Sequence, residues 1–220
     1  MHLLIPLVIF PPLDLADEEG LLAIGGDYSL PMLLEAYRGG IFPWPVEDLP
    51  PLWFAPPQRA VLFLEEFHIS KTLRRAMRHR DYEIAIDRNF SKVIDACAAP
   101  RDYADGTWIS DELRLAFKRM HRAGWAHSVE VYEDGELSGG LYGVAIAGYF
   151  AGESMFYRRS DASKFALVAL VEHLQNRGAT YLDAQQLTPL FQAFGAREIE
   201  RAEFMRRHAQ AIDQNVRLFD

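Results

Sequence analysis

Hydrophobic positions follow a clear pattern in the second half of the chain. Residues 163–177 repeat with the period of a helix that is buried on most of its surface. The apolar, uncharged run at 141–150 precedes it and predicts one strand covered on both faces. Residues 180–182 predict another strand after the helix. This part of the chain is therefore predicted to form a strand, a loop at 152–156, a helix and a strand.

Other elements are marked by their capping residues and turns. Ser29, Ser70 and Ser110 each precede a helical pattern, and helices are also predicted near 90–97 and at the C-terminus, where Ile199, Phe204 and Met205 form an apolar face. Residues 82–87 and 127–132 alternate as strands do, and a turn follows at 134–135. A proline-rich stretch ends at Pro57. The chain thus divides into a small N-terminal lobe, 1–59, and a mixed α/β domain, 60–220.

Composition narrows the classes of function. Half of the 220 residues are hydrophobic, which suffices for a core, and the net charge of −8 opposes a general nucleic-acid coat. Cys97 is the only cysteine, so disulfides and CxxC metal sites are excluded, and the histidines show no metal-ligand spacing. No apolar run reaches the roughly 18 residues of a membrane span, and the opening segment lacks a signal-peptide pattern. These features predict a cytoplasmic protein.

Four basic residues lie on one side of the helix that follows Ser70. Lys71, Arg74, Arg75 and Arg78 stand at i, i+3, i+4 and i+7, and no acidic residue interrupts them. A run of charges on a helix is commonly an ordinary solvated face. In an acidic chain, however, this unneutralised stripe favours binding of a phosphate backbone.

Polar residues at the ends of two predicted strands form the candidate active site. Glu153 follows the apolar run directly, and a buried carboxylate there needs a partner. Asp183 and Gln185 are two residues apart, hence on one face of a strand, so all three are expected in one cleft. Asp183 has the alternative role of capping the next turn. The aromatic loops around Trp44 and Trp53 either pack over a small sheet or offer a stacking platform for a base.

Eight short motifs resemble, in order, those of the leucyl/phenylalanyl-tRNA–protein transferases. They span nearly the whole chain: GLLAIGGD at 20–27, GIFPW at 40–44, HIS at 68–70, TWI at 107–109, AHSVE at 126–130, GGLYG at 139–143, GESMF at 152–156 and ASK at 162–164.

The resemblance implies an enzyme that forms a peptide bond. Leucine or phenylalanine, with methionine as a further candidate, would move from its tRNA to the N-terminal arginine or lysine of an acceptor protein and mark it for the bacterial N-degron pathway. The resemblance also implies an α+β fold whose C-terminal domain is of the GCN5-related N-acetyltransferase (GNAT) type. Neither coenzyme A nor a metal would take part, so no cofactor is expected.

Family roles carry over to individual residues of this sequence. The resemblance implies that Trp44 stacks on the terminal adenosine of the tRNA and that Lys71, Arg75 and Arg78 hold the acceptor stem. Glu153 would lie near the α-amino group of the amino acid, whose side chain would be held by Trp108, Leu141, Phe150, Leu170 and Leu182. Asp183 and Gln185 would be the catalytic pair. Asp183 would orient the Gln185 amide, whose oxygen would accept a hydrogen bond from the attacking nitrogen.

The sequence departs from the family pattern beside this pair. The usual Asp-Cys-Gln, later histidine and Ser-Leu-Gly-Ala are replaced here by Ala184, Leu190 and Ala193-Phe194-Gly195-Ala196. This loss leaves open an altered acceptor choice, or a non-catalytic protein that binds tRNA or N-termini. An acyl-CoA-dependent acetyltransferase is disfavoured, because residues 158–162 lack the glycines of a Q/R-x-x-G-x-G/A pyrophosphate loop.

Overall fold

The computed structural model describes residues 9–99 and 109–220. Near the N-terminus of this part, a small antiparallel sheet is accompanied by one helix. Its strands are β1 (Leu21–Ile24), β2 (Phe42–Pro43) and β3 (Leu52–Phe54), in the order β1-β3-β2. Helix α1 (Leu30–Arg38) begins after Ser29, as predicted, and ends at Gly39.

A larger mixed sheet forms the centre of the described part of the molecule. Its seven strands run in the order β10-β4-β9-β8-β7-β6-β5. Neighbouring strands are antiparallel except β8 and β9, which are parallel. The strands are β4 (Gln58–Phe63), β5 (Glu83–Ile86), β6 (Ala126–Glu133), β7 (Glu136–Ile146), β8 (Tyr149–Tyr157), β9 (Tyr181–Gln185) and β10 (Arg197–Glu200).

Helices cover both faces of this sheet. The remaining ones are α2 (Lys71–His79), α3 (Phe90–Ala98), α4 (Asp111–Arg122), α5 (Ala162–Asn176), α6 (Pro189–Ala193) and α7 (Arg201–Ile212). Apolar residues of α1, α3, α4 and α7 share one buried cluster, and those of α2 and α5 share another. Alternate residues of the central strands point into each, as in Leu141 and Tyr142 of β7. The predicted α+β class with a mixed sheet is confirmed.

Three sequence-based predictions of local structure were wrong. The run 141–150 is two strands, because β7 ends at Ile146 and a tight turn through Ala147, with φ of 51°, starts β8 at Tyr149. No Asn-Gly or Asp-Gly pair marks this turn, and both strands are central and therefore apolar throughout. Segment 152–156 consequently lies inside β8 rather than in a loop. Ile199 belongs to strand β10 and not to the last helix.

The expected boundary near residue 59 remains a prediction. The small sheet ends at Phe54, and β4 of the large sheet begins at Gln58. The two parts share one hydrophobic cluster, in which Leu33 and Tyr37 of α1 join Phe117 of α4. Across 9–99 and 109–220, no helix combines the length and apolar character needed to cross a membrane.

Candidate active site

Strands β8 and β9 open a cleft on one face of the sheet. Their ladder pairs Ala151 with Asp183. Immediately afterwards the register between β7 and β8 shifts, since Gly143 opposes Gly152 while Tyr142 opposes Ser154. Glu153 is therefore the extra residue of a β-bulge, a feature that re-aims side chains beside active sites. The bulge explains how a strand residue directs a carboxylate into the cleft.

The larger cavity at this cleft has a volume of about 660 Å³. Its wall is mainly apolar and includes Leu141, Met155, Leu167, Leu170, Leu182, Ala184, Leu190 and Phe191. Trp44, Glu153 and Gln185 add polar atoms to one side. Leu141, Leu170 and Leu182, which the resemblance assigns to the amino-acid pocket, thus line one cavity.

The two other residues predicted for this pocket are Phe150 and Trp108. Phe150 does not line the larger cavity: it is fully buried and packs against Phe219, with ring centroids 5.7 Å apart. It belongs to the same buried cluster as Leu141, Leu170 and Leu182, and its place in the donor pocket stays a prediction. Trp108 lies outside the described residues.

Glu153 is a buried carboxyl group on the wall of the larger cavity. Its Oε1 accepts a hydrogen bond of 2.8 Å from Nε2 of Gln185. Its Oε2 is buried and forms no hydrogen bond of normal geometry within the described chain. Burial raises the pKa of Glu153 to about 8, although the nearby Tyr37 hydroxyl and the Gln185 amide partly oppose this rise. The free protein therefore holds this group largely uncharged at neutral pH.

Asp183 lies in a buried ion pair behind Gln185. Arg59 donates to both of its oxygens, from Nε to Oδ1 at 2.8 Å and from Nη2 to Oδ2 at 2.7 Å. The Tyr149 hydroxyl donates to Oδ2 at 2.6 Å, and the backbone N–H of Gln185 donates to Oδ1 at 2.9 Å. The pairing with Arg59 offsets the cost of burying the carboxylate.

The arrangement corrects the expectation that two acids and an amide meet in one cleft. Gln185 lines the larger cavity, whereas Asp183 does not. Asp183 also holds the backbone of Gln185 and not its side-chain amide, which bonds to Glu153 instead. The positive φ of Gln185, 61°, ends the regular alternation of the strand, so the two-residue spacing does not decide which way its side chain points.

A second, smaller cavity of about 440 Å³ adjoins the first. Trp44, Gln185 and Gln186 line both cavities. The remaining wall combines aromatic rings with carboxylates: Phe42, Phe54, Glu19 and Glu198, together with Pro56, Gln58 and Leu187. Gln185 therefore stands where an apolar cavity meets one with acidic residues.

The basic stripe lies on the exposed side of α2. Lys71, Arg74, Arg75 and Arg78 are exposed, and none of them forms a salt bridge with a carboxylate among residues 9–99 and 109–220. Leu73 on the opposite side packs into the same buried cluster as Leu182 of the larger cavity. The stripe and the larger cavity thus belong to one face of the sheet.

Sequence reasoning missed the partners of the two buried acids. Arg59 and Tyr149 hold Asp183, and Tyr37 lies close to Glu153. A buried carboxylate needs a cationic partner, so the sequence indicated that such a partner exists. It did not indicate which of the many arginines is that partner. Within the described residues, no group of three or more His, Cys, Asp or Glu side chains is placed to hold a metal ion.

Comparison with known proteins gives matches over most of the chain. The family described as leucyl/phenylalanyl-tRNA protein transferase matches residues 61–209, and its N-terminal domain matches 26–57. A leucyl/phenylalanyl-tRNA–protein transferase of Pseudomonas entomophila is 52% identical over 207 residues, which are 93% of this chain and 92% of that protein. One of Stutzerimonas stutzeri is 50% identical over the same shares. Among solved structures, L-PGS of Bacillus licheniformis matches at 14% identity and a TM-score of 0.41, covering 65% of this chain and 45% of that one.

Proposed function

The chain belongs to the leucyl/phenylalanyl-tRNA–protein transferase family, and we propose that it moves leucine or phenylalanine to the N-terminal arginine or lysine of acceptor proteins. It is an aminoacyl-tRNA–protein transferase. The proposal adds the identity of donor and acceptor, the GNAT type of the larger domain, and a role in N-degron proteolysis in the cytoplasm. The observation that carries it is the meeting of an apolar cavity and an acidic one at Gln185.

The larger cavity suits the donor amino acid. Leucine and phenylalanine side chains fit among Leu141, Leu170 and Leu182, which offer no hydrogen-bonding group. At the polar side, the carboxyl group of Glu153 on the cavity wall would receive the α-amino group. An incoming ammonium group would favour the ionised carboxylate and so reverse the effect of burial. Trp44, on the wall of both cavities, would stack on the terminal adenosine.

The smaller cavity suits the acceptor. Glu19 and Glu198 give it negative charge, and the Phe42 and Phe54 rings give it aromatic surface. An arginine or lysine side chain is complementary to both, because cations pair with carboxylates and lie favourably over aromatic rings. An acceptor held there would present its α-amino nitrogen beside Gln185 and next to the donor ester.

The enzyme has mainly to hold the acceptor amine against the ester carbonyl carbon, because the aminoacyl ester is already activated. The acceptor nitrogen attacks the ester carbonyl carbon, the bond from that carbon to the tRNA ribose oxygen breaks, and a peptide bond forms. The nitrogen loses one proton, and the ribose oxygen gains one. The Gln185 amide nitrogen is already bonded to Glu153, which leaves its carbonyl oxygen to accept a hydrogen bond from the attacking nitrogen. Asp183 supports this role from behind by holding the Gln185 backbone.

Replacement of Arg75 and Arg78 by alanine tests the tRNA-binding role of the stripe. Each lost phosphate contact should make the plot of log association constant against log salt concentration less steep by about 1. Binding of all tRNA sequences should weaken alike. Filter binding or fluorescence anisotropy at several salt concentrations measures both quantities. Arg206→Ala/Arg217→Ala, a control pair outside α2, should leave the slope unchanged. An unchanged slope in the α2 variant would make the stripe an ordinary solvated face.

Donor selectivity tests the proposed function itself. With an arginyl peptide as acceptor, leucyl- and phenylalanyl-tRNA should be used well and methionyl-tRNA less well. Aspartyl-tRNA should be a very poor donor, since an apolar cavity leaves its carboxylate without partners. Mass spectrometry of the extended peptide measures each rate. Equal transfer from aspartyl- and leucyl-tRNA would refute the assignment of the larger cavity to the donor side chain.

A further inference from the structure

Arg59 is one of the most deeply buried polar residues that the structure describes. Its side chain is 1% exposed, although it stands in the second position of β4, where the chain enters the large sheet. The guanidinium carbon lies 4.4 Å from the ring centre of Phe42 and 4.7 Å from that of Phe204. Two aromatic rings, one from the small sheet and one from α7, therefore restrain the position of the guanidinium group.

The hydrogen bonds of Arg59 lead to a single carboxylate. Two N–H groups of its guanidinium group, here called its fork, donate to the two oxygens of Asp183, at 2.8 and 2.7 Å. With the bonds from Tyr149 and from the Gln185 backbone, Asp183 accepts four hydrogen bonds from described residues. A carboxylate has about four acceptor sites, so none remains for a proton of the substrate. Asp183 is thus suited to hold groups in place and unsuited to act as a base.

Gln185 occupies a conformation that needs such support. Its φ of 61° lies in the left-handed region, which residues other than glycine adopt only when their surroundings impose it. The bond of its N–H to Asp183 and the bond of its side chain to Glu153 fix the main chain and the amide separately. The first of these bonds depends on Asp183, whose orientation depends in turn on the fork of Arg59.

We propose that Arg59 is a positioning residue for the transfer reaction, which acts through Asp183 to set the place of the Gln185 amide between the two cavities. The proposal rests on the proposed role of Gln185. Small displacements of a reacting group are costly, since a misplacement of about 1 Å lowers a rate by roughly 100-fold. Loss of the fork should therefore slow the chemical step while the binding of tRNA on α2 stays intact.

The variant Arg59→Lys tests this directly. Lysine keeps the positive charge, but its ammonium group cannot bridge both carboxylate oxygens in the plane between two rings. We expect kcat to fall by about 10- to 100-fold, with KM for leucyl-tRNA within about threefold of wild type. The pH profile of kcat should keep its shape, because no titrating group of the reaction is removed. Unchanged kcat, or a loss confined to KM, would overturn the proposal.

Arg197→Lys is the matched control. Arg197 also contacts a carboxylate, Glu66, and lies 4.4 Å from the ring centre of Phe63, but it does not touch Asp183. Its replacement should leave kcat within about twofold of wild type. An equal loss in the Arg59 and Arg197 variants would indicate a general effect of these arginines on packing and would overturn the proposal.

Three further variants distinguish the ways in which the proposal could fail. Arg59→Lys combined with Asp183→Asn should lose no more activity than the worse single variant, whereas a product of the two losses would show that Arg59 does not act through Asp183. If Arg59→Lys does not fold, Phe204→Leu carries the test, because it removes one of the two rings that restrain the Arg59 guanidinium group; unchanged kcat there would refute the proposal. Gln185→Ala is assayed alongside. A slow Gln185→Ala with a fast, folded Arg59→Lys would leave the proposed function standing and reject the role of Arg59 alone.

Discussion

Replacement of Gln185 by alanine should lower kcat for leucine transfer on the order of 100-fold. The reason is that Gln185 lines both cavities and, in the mechanism we propose, its carbonyl oxygen accepts a hydrogen bond from the attacking nitrogen. This contact strengthens as the peptide bond forms, so the loss should appear in kcat more than in the affinity for tRNA. Single-turnover transfer to an arginyl peptide, with binding of tRNA measured separately, distinguishes the two.

A matched control for this variant is Gln192→Ala. Gln192 is an exposed glutamine on α6 that lines neither of the two cavities at the site. Its replacement should change kcat by less than about twofold. Equal rates for wild type and Gln185→Ala would remove the amide from the mechanism and leave Glu153, or the tRNA itself, as the group that handles the proton.

Replacement of Glu153 by glutamine should remove a pH dependence of stability. The folded protein keeps the Glu153 proton up to about pH 8, because burial raises its pKa from the usual 4.5. The unfolded chain releases that proton near pH 4.5, so raising the pH between these values favours the unfolded chain. The unfolding free energy of the variant, relative to wild type, should rise by up to about 1.4 kcal/mol per pH unit across this window and then level off. Urea denaturation of both proteins at several pH values measures this difference.

Glu65→Gln is the control for the stability measurement, because Glu65 is an exposed carboxyl of the same type. Its difference from wild type should stay nearly constant over the same pH range. A flat difference for Glu153→Gln as well would mean that Glu153 titrates normally in the folded protein. In that case the account of an uncharged carboxyl that becomes ionised beside the donor α-amino group would be abandoned.

Local signals in the sequence predicted most helices of the described chain. Ser70 and Ser110 precede helices as predicted, and their side chains accept hydrogen bonds from the backbone N–H groups of Leu73 and Leu113. Helix α5 spans Ala162–Asn176, close to the 163–177 expected from its apolar period. These features depend on neighbours within a few residues, which is why the sequence reveals them.

Features that depend on distant parts of the chain were not predictable in the same way. The pairing of Arg59 with Asp183 joins residues 124 positions apart, and nothing near either residue specifies the other. The bulge at Glu153 appears only in the register with β7. The two-residue period of a strand predicts that Asp183 and Gln185 share a face. It gives no sign of the positive φ of Gln185, which turns the Gln185 side chain away from the regular alternation.

Two of the three departures from the family pattern lie at the larger cavity, to which we assign the donor side chain. Ala184 and Leu190 both line the larger cavity. Their apolar side chains make this wall uniformly hydrophobic beside Leu182, which is compatible with a leucine or phenylalanine side chain. The smaller cavity, which we assign to the acceptor, has Glu19 and Glu198 in its wall, so these two substitutions leave its charge unchanged.

The most direct test of the central claim is the transfer of leucine by the wild-type protein to peptides that differ only at the N-terminal residue. Peptides beginning with arginine, lysine or glutamate are incubated with leucyl-tRNA, and the products are identified by mass spectrometry. The two-cavity account predicts a single added leucine on the arginyl and lysyl peptides and essentially none on the glutamyl peptide, which the acidic cavity repels. No extended product with any peptide, or equal extension of all three, would contradict it.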